Sequence, residues 1–146
     1  DGFASPGFEY GRAPKVPLLL RLLPYVMPTF LLKSSLVPAY ADPAMVTDAM
    51  VTQYRDLLLA PGVRQAILDR TAGQVLQDPV PLLRRITAPV LLMWGVEDRM
   101  IPARNAGDYR AALLHSDLLE LSGVGHVLHE EAADAVASRL RSFLAE

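Results

Sequence analysis

The chain has 146 residues, a formal net charge of −2, 51% hydrophobic residues and 21% charged ones. That length suits one domain with a real core, and the balance excludes a disordered chain and gives no basis for nucleic-acid binding. Cysteine is absent, which removes disulfides, thiolate metal sites and a cysteine nucleophile.

The opening stretch D-G-F-A-S-P-G-F-E-Y has neither the basic region nor the apolar run of a signal peptide, so a cytoplasmic location is expected. The most apolar segment, Val16 to Leu32, is interrupted by Arg21, Pro17, Pro24 and Pro28. It is also short for a bilayer span of about 20 residues, so a membrane segment is not expected. Two short buried or interfacial helices, Leu18 to Leu23 and Thr29 to Leu36, are expected in its place. Asp42-Pro43 is a cap and first-turn pair that opens a helical turn. Thr47 caps a longer helix with Met50, Val51, Tyr54, Leu57 and Leu58 along one face. Pro61 starts another helix carrying Val63, Ala66 and Ile67, and Gly73 ends it. No strand is expected before residue 85.

Beyond that point the hydrophobic period changes. P-V-L-L-M-W-G, Pro89 to Gly95, is a continuous apolar run bounded by turn formers, as in a parallel strand buried on both faces, with Met93 and Trp94 in the core. A helix over Ala103 to Leu114 with Ala106, Tyr109 and Leu113 on one face leads to a second strand at Leu118 to Leu121. A last helix, Glu131 to Leu144, turns Ala132, Val136, Leu140, Phe143 and Leu144 inward. Strand, helix, strand makes a βαβ unit with parallel strands. Two parallel strands do not cover their own edges, so the sheet is expected to be incomplete, with its other strands supplied by a longer chain or by a complementing partner.

Ligands of open α/β sheets bind beyond the carboxyl ends of the strands. The loop after the first strand, W-G-V-E-D-R-M-I-P, offers Glu97 and Asp98; the loop after the second, G-V-G-H-V-L-H-E-E, offers His126. Both loops leave the same end of the sheet, where a carboxylate can hold the imidazole's Nδ1–H and leave Nε2 to take a proton from a nucleophile. The glycines ahead of His126 allow a tight turn that brings the ring into a cleft. Each signal alone is weak, since a lone Asp after a strand is usually a loop or cap residue and Gly-x-Gly-His is usually a surface turn. Their combination across one βαβ unit favours chemistry. Glu97 reads as a solvated loop residue. His129 and Glu130 lie in the same loop as His126, and adjacent loop residues rarely converge on one ion, so no metal and no cofactor are expected.

Together these two loops resemble the C-terminal part of the α/β-hydrolase superfamily, esterase- or lipase-like, with a Gly-x-x-Asp loop and a Gly-His loop. The resemblance implies Asp98 as the triad acid, His126 as the base, and Glu131 as the acidic residue that often opens the last helix. It implies an α/β fold with residues 1–85 as a helical cap segment and residues 86–146 as the C-terminal part of the core. Leu32, Leu36 and Tyr40 are then the cap residues expected to face substrate, alongside Leu31 and Val37. Leu128 and Ala133 stand where the family often has proline. The larger departure is the absence of the G-x-S-x-G nucleophile elbow. None of Ser5, Ser34, Ser35, Ser116, Ser122, Ser138 or Ser142 sits on a strand-to-helix turn flanked by glycines.

The expected activity is hydrolysis of an ester or similar bond in a small apolar substrate, with a serine outside these residues as nucleophile and the isolated chain inactive. A superfamily member with an Asp nucleophile, like dehalogenases and epoxide hydrolases, is an alternative, as is a C–C hydrolase or haloperoxidase-like enzyme. A non-catalytic cap or partner module, or a pseudoenzyme, is the third possibility.

Overall fold

A computed structural model describes residues 28–73 and 77–145. The expected helix at Leu18 to Leu23 and Ser5 lie outside the described residues. The chain divides into two compact units: one holds the chain up to Leu36 together with Val46 to Asp78, the other Val37 to Met45 together with Pro79 onward.

The first unit contains α1 (Thr29–Leu36), α2 (Asp48–Leu59) and α3 (Val63–Gly73). Thr47 caps α2 as expected, its hydroxyl accepting from the Met50 N–H at 3.2 Å. Asp48 opens the helix, where a negative charge complements the exposed N–H groups. It also receives Lys33 Nζ of α1 at 2.8 Å, and the hydrogen bond to Lys33, followed by the lysine's charge, holds the Asp48 carboxyl below its ordinary range. Leu32, Val46 and Val51 are buried. Leu57, expected on the same face, is 61% exposed. At about 100° per residue it stands roughly 120° around the helix from Val51, beyond the narrow strip three short helices bury. Ala66 and Ile67 of α3 are exposed for the same reason.

The second unit is built on β1 (Val90–Gly95) and β2 (Ser116–Leu121), paired in parallel from Val90 opposite Ser116 to Gly95 opposite Leu121. Among the described residues these are the whole sheet. A short α4 (Val80–Leu83) precedes β1, and α5 (Arg104–Ala112) crosses between the strands and packs on both. Ala106, Ala112, Leu113 and Asn105 of this region are buried. The Trp94 ring lies 5.9 Å from Tyr109, and its indole N–H donates to the Ile101 carbonyl. Val90 to Trp94 are only half-buried, a correction to the strand expected to be covered on both faces. A sheet of two strands leaves too little surface above and below for full cover.

The C-terminal helix is α7 (Ala133–Ala145), which starts two residues later than expected, and a short α6 (Leu128–Glu131) precedes it, with Ala132 between them at φ −137°, ψ 46°. Glu131 therefore ends a short helix rather than opening a long one. Val136 and Phe143 of α7 are half-buried, but Leu140 and Leu144 are 42% and 74% exposed, against the expected inward face. Strands about 4.8 Å apart make a surface narrower than a helix about 10 Å across, so α7, which packs on β1, covers the sheet with one strip only. No helix among the described residues is long and apolar enough to cross a membrane.

Candidate active site

The loops leaving β1 and β2 are tied to each other before either reaches its polar residues. The Val96 N–H donates to the Leu121 carbonyl at 3.0 Å and the Glu97 N–H to the Val124 carbonyl at 3.1 Å, extending the parallel pairing past the strand ends. The β1 loop then turns, with the Asp98 N–H on the Gly95 carbonyl. This brings the Asp98 carboxylate across to the β2 loop.

Asp98 is buried, its side chain only 4% exposed. One oxygen, Oδ1, accepts the N–H groups of Met100 and Ile101 at 2.8 Å each. The other, Oδ2, lies 2.9 Å from Nδ1 of His126. With Oδ1 held by its own loop, the carboxylate has one orientation and Oδ2 is aimed at the ring. A carboxylate in this position is an acceptor, so Nδ1 carries the proton and Nε2 presents a lone pair. The imidazole side chain is 36% exposed, and no described residue hydrogen-bonds Nε2. Such a ring can take a proton from a hydroxyl or a water, while the carboxylate stabilises the imidazolium.

The turn that presents His126 is held at every amide. Gly123 and Val124 donate to Oε2 of Glu97 at 2.7 and 3.1 Å, Gly125 to Oε1 of Glu131 at 2.8 Å, and His126 to the Ala39 carbonyl at 2.8 Å. Glycine is required at the first and third of these positions for different reasons. Gly123 has φ +76°, a conformation that favours glycine. A Cβ on Gly125 would lie 2.7 Å from the Ala41 nitrogen and 2.8 Å from the Ala39 oxygen, so only glycine lets the two backbones meet.

Glu97 is exposed, as expected of a solvated loop residue, and is also the acceptor for the first half of this turn. Its role, and those of Glu130 and Glu131, were not signalled by any motif, because their partners are backbone amides or a tyrosine distant in sequence. Among the residues expected to face substrate, Leu32 and Tyr40 are buried and Leu36 is half-buried. The Tyr40 hydroxyl donates to Oε2 of Glu130. His129 is 73% exposed, with Nε2 3.8 Å from Oε1 of Glu130. Ser34, Ser35, Ser116 and Ser142 are placed away from a nucleophile's turn, while Ser122 lies in the turn that follows β2, directly before Gly123. Ser34 and Ser35 bond back to carbonyls of α1, Ser142 to the Ser138 carbonyl of α7, and Ser116 begins β2.

These features define an α/β-hydrolase core, and the chain belongs to the alpha/beta hydrolase family, whose family model matches residues 1–139. Two curated relatives are the uncharacterized hydrolase YugF of Bacillus subtilis and a Pseudomonas putida protein. The first is 32% identical over 62 residues, covering 42% of this chain and 23% of that protein. The second, the dihydrolipoyllysine-residue acetyltransferase component of an acetoin cleaving system, is 31% identical over 118 residues, covering 77% of this chain and 30% of that protein. Among solved structures, a meta-cleavage product hydrolase from Pseudomonas fluorescens is similar with a TM-score of 0.74 at 17% identity, covering 93% of this chain and 53% of that one. A thermophilic esterase is similar with a TM-score of 0.66 at 20% identity, again over 93% of this chain and 53% of that one. The chain thus spans less than a third of the length of the curated relatives and about half that of these solved structures.

Proposed function

We propose that this chain supplies the base and the acid of a hydrolase: His126 takes a proton at Nε2 and Asp98 holds the ring at Nδ1. The observation that carries this reading is the 2.9 Å contact between Nδ1 and a carboxylate whose other oxygen is fixed by two amides. The nucleophile is a serine outside these 146 residues, reached through the remainder of an α/β-hydrolase core that a longer chain or a complementing partner provides. Residues 1–85 act as the cap, and their apolar composition fits a small apolar ester.

In the reaction, His126 deprotonates the serine as it attacks the ester carbonyl, then returns the proton to the leaving alcohol. Water repeats the cycle on the acyl-enzyme. The isolated chain is expected to leave a chromogenic ester unhydrolysed. Turnover by the 146-residue chain that disappears with His126→Ala would place the nucleophile within it and contradict this reading.

A further inference from the structure

The Glu131 carboxylate makes bonds that the acid–base pair itself does not call for. Oε1 accepts the Gly125 N–H at 2.8 Å, and Oε2 accepts the Ala41 N–H at 2.7 Å. Gly125 immediately precedes His126. Ala41 belongs to a strap, Val37 to Met45, that is part of the same compact unit as the active-site loops. Three successive strap residues bond to the loop and the short helix after it: the Ala39 carbonyl accepts the His126 N–H, the Tyr40 hydroxyl donates to Glu130, and the Ala41 N–H donates to Glu131. A Cβ on Gly125 would come within 3 Å of backbone atoms of all three, so little slack separates the strap from the loop. The non-helical Ala132 follows directly, where the chain departs from the course a continuous helix would give it.

We propose that Glu131 is a positioning residue for His126, its single carboxylate clamping the base's loop to the strap. This rests on the reading of His126 as the base. A charged acceptor makes stronger hydrogen bonds than a neutral one, and a dual acceptor fixes two backbones with respect to each other. Removing it frees the Gly125 amide and leaves the His126 backbone held to the strap by its own N–H alone. The ring then drifts from Asp98, and the proton no longer stays on Nδ1. Glu131 touches no reacting atom; its effect passes through the placement of the ring.

Ring-nitrogen NMR of the 146-residue chain at alkaline pH reads which nitrogen of each histidine carries the proton, with His115 as an internal reference. In the wild-type chain His126 is expected to hold its proton on Nδ1. Glu131→Ala is expected to move His126 toward a mixture of the two tautomers and leave His115 unchanged. Glu131→Gln, which keeps one acceptor oxygen, is expected to move it less. In the complete enzyme the same Ala change lowers kcat by roughly 10- to 100-fold at nearly constant KM, with Gln recovering part of the loss. A folded Glu131→Ala variant with an unchanged His126 signal and unchanged kcat would overturn the proposal and leave the His126–Asp98 pair standing. A wild-type chain lacking the Nδ1–H form would overturn the pair itself, and the clamp with it. Should Glu131→Ala fail to fold, the Gln variant decides by the same two readouts.

Discussion

Asp98 accepts three hydrogen bonds through two oxygens, and two of them come from its own loop. That division is what lets a short side chain be both buried and directional: the loop fixes the carboxylate, and the carboxylate fixes the ring. Gly125 works at the same scale. A methyl group there meets backbone atoms of Ala39, Tyr40 and Ala41 within 3 Å, and backbone cannot rotate away as a side chain can. Gly125→Ala is therefore expected to destabilise the protein by about 1–3 kcal/mol, the usual range for forced overpacking, in chemical denaturation. An unchanged midpoint would mean that the strap and the loop are further apart than described. Asp98 and His126 were legible as candidates because each follows a strand end and the glycines mark a turn. The bonds that Glu97 and Glu131 make were not, since an acidic residue that spends its carboxylate on backbone amides of other segments leaves no local pattern.

At the scale of elements, capping and hydrophobic period served the longer pieces well. Thr47 caps α2, and the apolar run after Pro89 becomes β1. Thr47→Ala is expected to cost about 1 kcal/mol, seen as a lower denaturation midpoint. The Lys33–Asp48 bond between α1 and α2 carries a pH dependence whose sign follows from the lowered Asp48 carboxyl. A carboxyl lowered on folding stabilises fully above its ordinary value of 3.8 and loses that contribution as the pH falls through the lower, folded value. An NMR titration should find Asp48 below the ordinary value and Lys33→Met should return it there; no difference between the two would remove the link. The last helix was legible as α7, whereas α6 and the break at Ala132 were not, because Ala132 and Ala133 are good helix formers and local propensity continues straight through them. The break instead coincides with tertiary bonds at Glu131, whose partners are invisible to a periodicity argument.

For the whole molecule, the two-stranded sheet was legible from two strand patterns alone, and a parallel pair needs neighbours that the described residues do not contain. The half-buried strands and the exposed Leu140 and Leu144 carry the physical signature of that surface. Family membership gives the fold of the complete core, and the His126–Asp98 geometry gives the proposed chemistry a fixed base. Under the proposed function, a complete enzyme is the setting in which the pair acts. The most direct measurement is steady-state hydrolysis by that enzyme with Asp98→Asn, a change that keeps the shape of the side chain but lets the ring adopt the wrong tautomer. The account predicts a fall in kcat of about 10⁴, as for the equivalent substitution in a serine triad. Near-normal kcat would take Asp98 out of the site and contradict the reading of His126 as a base held at Nδ1.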